Sequence, residues 1–89
     1  MPALTLKAGQ TVVMDNLGFG KVLLVEDDEK LSGLIAQFLS RHGFEVRQVL
    51  RGDLALAAFL EFQPKVVVLD LMLPGQSGLQ VCREIRALA

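Results

Sequence analysis

Val66-Val67-Val68-Leu69 is an unbroken run of strand-forming residues that ends on a single carboxylate, Asp70, and turns at Pro74-Gly75. With no polar alternation, such a strand is covered on both faces, the mark of a parallel sheet flanked by helices. In open sheets of that kind ligands bind beyond the carboxyl ends of the strands, so Asp70 stands where chemistry is done. On this run alone, an aspartate that merely opens the turn is an equal explanation, and the remaining sequence has to decide.

A second apolar run, Lys21-Val22-Leu23-Leu24-Val25, leads straight into Glu26-Asp27-Asp28-Glu29. A helix start accounts for Asp28 as its cap and for Glu29 beside the positive end of the macrodipole. Glu26 and Asp27 precede that helix, at the strand's carboxyl end, where they repel each other. Leu31, Leu34, Ile35, Phe38 and Leu39 then recur with helical spacing, which predicts one apolar stripe turned to the core. Gly43 ends this helix in a left-handed cap, and His42 beside it reads as a solvated C-terminal residue rather than a catalytic one. Residues 44–50 begin with the alternation of an edge strand. Arg51-Gly52-Asp53 turns, and Asp53 is expected to cap a helix from 54 to about 62 that buries Leu56, Phe59 and Leu60. Pro64 closes that helix. Ser77, followed three residues later by Gln80, fits a capping box and opens a third helix with Leu79, Cys82 and Ile85 inward. Cys82 thereby reads as a small core residue, not a reactive thiol.

At 89 residues this is one small domain, and its 52% hydrophobic content argues against disorder. Nine basic against ten acidic residues give no sign of a nucleic-acid-binding surface. One cysteine excludes an internal disulfide and is compatible with a reducing cytoplasm, the expected location. No apolar stretch approaches the ~18 residues of a membrane span, and the N-terminus lacks the pattern of a signal peptide. Residues 1–20 differ from the rest. Leu4-Thr5-Leu6-Lys7 and Thr11-Val12-Val13-Met14 form at best a marginal hairpin around Ala8-Gly9-Gln10, and 15–20 read as linker. The expectation is a mobile or loosely packed N-terminal extension, or a chain whose natural start is Met14.

Strand and helix alternate three times, the pattern of an α/β doubly wound parallel sheet with right-handed crossovers. If the strands take the flavodoxin-like order, with the first and third adjacent, Glu26, Asp27 and Asp70 meet at one end of the sheet. Two carboxylates ~5 Å apart repel by about 3 kcal/mol at an effective dielectric of ~20, so three call for a cation or a proton. Hard oxygen donors with room for water and a phosphoryl oxygen describe a Mg²⁺ site. There is no calcium-type loop, and no glycine-rich nucleotide loop ending in Lys-Ser or Lys-Thr. Such an ion would neutralise a transferring phosphoryl group and leave Asp70 as a carboxylate nucleophile.

With Val22-Leu23-Leu24-Val25-Glu26-Asp27-Asp28-Glu29 and Leu69-Asp70-Leu71-Met72-Leu73-Pro74-Gly75-Gln76-Ser77-Gly78 in one chain, residues 21–89 resemble the first three βα units of a bacterial response-regulator receiver domain, of the OmpR/PhoB class of two-component transcription regulators. The resemblance implies that Asp70 accepts phosphate from a sensor histidine kinase. It implies that Glu26 and Asp27 hold Mg²⁺ with Asp70, and that the Met72 backbone carbonyl is a further ligand. Pro74 and Gly78 would shape the loop that carries this carbonyl. It implies a signalling phosphoacceptor, not a turnover enzyme.

Receivers of this class continue through two more strands and helices that bring a Ser or Thr and then a Lys to the phosphoryl site, followed by a DNA-binding domain. The 89 residues contain neither, so direct nucleic-acid binding does not carry over, nor does any membrane partner. A third strand without its next neighbour is an exposed apolar edge, which predicts a homodimer through that edge or a partly molten chain. Two other readings stay open. One is a receiver-like interaction or dimerisation fragment that is not productively phosphorylated. The other is a haloacid-dehalogenase-type phosphatase, which needs an Asp-x-Asp pair where this chain has Leu71-Met72 after Asp70.

Overall fold

The computed structural model describes residues 3–7, 11–15, 20–70, 73 and 75–88. In chain order these form β1 (Ala3–Lys7), β2 (Thr11–Asp15), β3 (Lys21–Val25), α1 (Glu29–Arg41), β4 (Glu45–Val49), α2 (Ala55–Phe62), β5 (Val66–Asp70) and α3 (Gly78–Leu88). A single 3₁₀ turn, Gly52–Leu54, leads into α2.

The two apolar runs lie side by side as predicted. β3 pairs in parallel with β4 on one side and with β5 on the other, which is the flavodoxin-like arrangement of these three strands. Leu23, Val25, Val67 and Leu69 pack with Ala55 of α2 and Val81, Cys82 and Ile85 of α3 into the main core. Val22 and Leu24, equally buried, belong to the opposite face by strand alternation. Each such side chain contributes ~1.5–3 kcal/mol on leaving water, which is why the polar-free runs commit to the sheet centre.

Residues 3–7 and 11–15 join the sheet instead of packing loosely, while most of the linker expected over 15–20 lies outside the described residues. β1 and β2 pair antiparallel as a hairpin, and β2 pairs antiparallel with β5 from Thr11↔Asp70 to Asp15↔Val66. The sheet therefore has five strands in the order β1-β2-β5-β3-β4. β5 is not an edge, and the homodimer expected through it has no free ladder to use. The physical reason is the one that made the edge a hazard: the outward N–H and C=O groups of β5 need partners, and the chain's own β2 supplies them.

The helices also correct the pattern reading. Asp28 caps α1 by accepting from the Leu31 N–H over 3.1 Å, and Gly43 follows the helix with φ +90°, both as predicted. The buried residues of α1 are nevertheless Ser32 and Ala36, with Ile35 and Leu39 half-buried, while Leu34 and Phe38 are 65% and 60% exposed and Leu31 is exposed too. Small residues let the helix sit close to the sheet, and the Ser32 hydroxyl donates to Gln48 Oε1 over 2.9 Å. Asp53 does not cap α2: it lies within the 3₁₀ turn and is paired with Arg51 at 2.9 Å. Leu60 and Leu79, assigned inward by spacing, are exposed. Ser77 does cap α3, accepting from the Gln80 N–H over 3.2 Å.

Candidate functional site

The parallel register sets Val25 level with Leu69, so the residues that follow, Glu26 and Asp70, emerge together at the carboxyl end of the sheet. One carboxylate oxygen from each of Glu26, Asp27 and Asp70 lies within 4.8 Å of the others. The three acids predicted from the sequence are thus the three that the fold brings together. Glu26 is only 6% exposed, Asp70 is half-buried and Asp27 faces water.

Local structure fixes the buried acid. The Glu26 N–H donates to the Val49 carbonyl over 2.9 Å, carrying the β3–β4 alignment one residue past the strand. The Asp28 N–H donates to Glu26 Oε2 over 3.1 Å, so the turn that starts α1 also orients the carboxylate. Burial pushes the Glu26 carboxyl above the usual carboxylate range; the Asp28 N–H opposes that shift, while a hydrogen bond with Asp27 and repulsion from Asp70 and Asp27 reinforce it.

Three carboxylates at this separation repel pairwise by about 3 kcal/mol at an effective dielectric of ~20. An all-oxygen donor set, part buried and part open to water, fits a hard divalent cation that keeps several waters, as Mg²⁺ does. Thiol and imidazole take no part: Cys82 is buried in the core, and His42 holds the end of α1, its Nδ1 within 2.8 Å of the Phe38 carbonyl. Met72, whose carbonyl the resemblance made a ligand, and Pro74 lie outside the described residues.

Residues 75–76, after Asp70, lie against the turn that leads into α2. Gly75 takes φ +85° beside the Arg51–Asp53 pair, and Gly52 leaves room for the Gln76 backbone carbonyl, with which a Cβ would collide. Arg51 holds the Asp53 carboxyl below its ordinary range by hydrogen bonding to it. The sequence shows Arg51-Gly52-Asp53 as a turn with Asp53 as a helix cap, and the contact with residues 75–76 has no local signal. The backbone pairing of Asp70 with Thr11 of β2 likewise has no local signal.

A family model described as the response regulator receiver domain matches residues 22–89. The transcriptional regulatory protein RstA of Escherichia coli is 42% identical over 66 residues, 74% of this chain and 28% of that protein. The sensory transduction protein RegX3 of Mycobacterium tuberculosis is 48% identical over 66 residues, 74% of this chain and 29% of that protein. Among solved structures, the BeF3-activated N-terminal receiver domain of Klebsiella pneumoniae RstA superposes with a TM-score of 0.75 at 39% identity, covering 78% of this chain and 59% of that one. The chain thus spans less than a third of the curated relatives it matches.

Proposed function

The chain belongs to the response regulator receiver domain family, and from that membership we propose that it is a phosphoacceptor module in which Asp70 takes a phosphoryl group from a sensor histidine kinase with Mg²⁺ bound. The observation that carries this reading is the convergence of Glu26, Asp27 and Asp70 within 4.8 Å at the carboxyl ends of β3 and β5. In the step, an Asp70 carboxylate oxygen forms a bond to phosphorus as the P–N bond to the donor imidazole breaks, and the imidazole leaves with the electron pair and takes up a proton. Glu26, Asp27 and Asp70 are the side chains that would hold the ion. When bound, Mg²⁺ offsets the negative charge that gathers on the phosphoryl oxygens. Asp27, open to water, is suited to direct ligation, and buried Glu26 to a fixed supporting charge.

The product is a stoichiometric acyl phosphate and not a released substrate, so the module signals and does not turn over. Its location is the cytoplasm, where a kinase would reach it; no helix among the described residues is long and apolar enough to cross a membrane. Relatives it matches are named as transcriptional regulators, and control of transcription is the proposed role of the whole protein.

Acetyl phosphate with Mg²⁺ tests this directly. The chain should gain one hydroxylamine-labile phosphate, and Asp70→Asn should abolish it with the circular dichroism unchanged. A label that survives the substitution would place the acceptor elsewhere.

A further inference from the structure

The end of the sheet opposite the acids carries a pocket that the phosphoacceptor reading leaves unused. It holds about 500 Å³ and is lined by Phe59 and Leu60 of α2, by Gln63, Pro64 and Lys65 on the way to β5, and by Leu88 of α3. Lys65 directly precedes β5 and Asp70 ends it, so the two sites stand ~17 Å apart along one strand. Phe59 packs against the main core and fixes the floor. Leu60 and Leu88 are each 54% exposed, so α2 and α3 present apolar surface to the pocket instead of burying it against each other. A volume of this order is that of small-molecule sites, which pair an apolar lining with a few converging polar groups.

The polar groups here are the side chains of Gln63 and Lys65. Gln63 closes α2, its N–H donating to the Phe59 carbonyl over 2.9 Å, and it does so in the left-handed region with φ +52°. Glycine takes that conformation freely and glutamine only at a cost, so capping alone does not account for an amide side chain at this position. Among the described residues, neither the Gln63 amide nor the Lys65 ammonium has a hydrogen-bond or ion-pair partner. The neighbouring charges are engaged. Lys21 donates to the Phe62 carbonyl over 3.3 Å and sits 5.0 Å from the centre of the Phe62 ring. Arg47 lies 4.7 Å from the centre of the same ring and pairs with Glu61 at 2.8 Å. These contacts answer the carbonyl end of α2 and neutralise its acid, which leaves Lys65 to set the charge of the pocket.

We propose that this pocket binds a small amphiphile with a single carboxylate. Its apolar body lies against Phe59, Leu60, Pro64 and Leu88, and its carboxylate accepts from the Lys65 ammonium and the Gln63 amide. The sign of the head group follows from Lys65, since a cationic one would meet a like charge. The volume admits an apolar body of about eight to twelve carbons.

The test titrates the full chain with octanoate and follows its amide NMR resonances. Those of Leu60, Gln63, Lys65 and Leu88 should shift saturably, with a dissociation constant on the order of 1 mM. Acetate lacks the apolar body and octylammonium reverses the charge; neither should saturate these shifts in the same range. Lys65→Gln should weaken octanoate binding about threefold to tenfold. Gln63→Gly should weaken it about threefold while raising the melting temperature, because glycine relieves the left-handed cap; binding lost in a variant more stable than its parent is not a folding defect. Octanoate shifts that do not saturate, octylammonium shifts of equal size, or full affinity in both variants would overturn the proposal. Asp70→Asn should bind octanoate as the parent does, so failure here leaves the acceptor reading standing, and failure of that reading leaves this pocket untouched.

Discussion

Asp28 is tied to Glu26 by its backbone and to Leu31 by its side chain: its N–H donates to Glu26 Oε2 over 3.1 Å while its Oδ1 accepts from the Leu31 N–H over 3.1 Å. The residue that begins α1 therefore also holds the buried acid of the site. The two roles use different atoms, so they separate on mutation. Asp28→Ala should lower stability by about 1 kcal/mol in urea unfolding through loss of the cap, yet leave labelling of Asp70 intact because the N–H remains. Asp28→Asn, which still caps, should be close to neutral. Loss of labelling in Asp28→Ala would show that the side chain itself serves the site.

Glu26 should destabilise the metal-free fold at neutral pH. Its folded-state pKa lies above its unfolded value, chiefly because burial disfavours the charge. The folded chain thus binds the Glu26 proton more tightly; this contribution is fully present below the unfolded pKa and is lost as pH rises through the raised folded one. Glu26→Gln keeps an oxygen for the Asp28 N–H and removes the charge. Without Mg²⁺ it should be more stable than the parent near pH 7, with the gap closing as pH falls toward ~4. A constant gap across that range would assign the effect to packing.

The site acids were legible in the sequence because two polar-free runs each end on carboxylates, and a parallel sheet has only one end at which such residues can meet. What escaped is what depends on distant partners. Alternation over four residues cannot tell a marginal hairpin from one that closes a sheet; the difference lies in the unsatisfied ladder of β5, 51 residues after the end of β2 in the chain. Helical spacing places the inward stripe of α1 on Leu31, Leu34, Ile35, Phe38 and Leu39, but spacing counts apolar residues and not closeness of approach. The sheet selects the side with Ser32 and Ala36, where the backbone comes near enough for Ser32 to reach Gln48, and Leu34 and Phe38 turn to water. Asp53 had a cap's position in the sequence, but Arg51 two residues earlier claimed its carboxylate.

Mg²⁺ should raise the melting temperature, since it relieves the repulsion among Glu26, Asp27 and Asp70 and the unfolded chain has no matching site. At ~10 times its dissociation constant the gain is ~1.4 kcal/mol. Asp27→Asn should remove the response, and sodium at equal ionic strength controls for screening. Equal responses to the two salts would leave no specific site to defend.

Two glycines should respond oppositely to alanine. At Gly52 a Cβ would collide with the Gln76 backbone carbonyl, whereas at Gly33, within α1, it meets nothing within 4 Å. Gly52→Ala should cost about 1–3 kcal/mol by forcing the loop after Asp70 away from the 3₁₀ turn, and should also slow labelling. Gly33→Ala should stabilise by ~0.5–1 kcal/mol through helix propensity alone. Equal effects in thermal melts would mean that the 52–76 contact is not maintained in solution.

The hairpin carries the largest structural prediction. β5 has β3 on one side and β2 on the other, and its register with β2 runs over five residue pairs. Removing residues 1–15 leaves that side of β5 with unpaired backbone groups and exposes apolar surface on a strand of valines and leucine. At ~1 kcal/mol for each lost ladder hydrogen bond, the deletion should cost on the order of 3–5 kcal/mol, a large part of what a domain this small possesses. It should therefore bind hydrophobic dye, self-associate in sedimentation and lose its cooperative melt. Val13→Pro is the subtler probe: Val13 is the register partner of Val68 at the centre of the ladder, and proline there removes an N–H and disrupts strand pairing without shortening the chain. It should move the protein toward the same behaviour, and an excess of a separate peptide spanning residues 1–15 should reverse the defect of the deletion. A deletion variant that melts cooperatively at the parent's temperature and stays monomeric would mean that β5 needs no partner on that side.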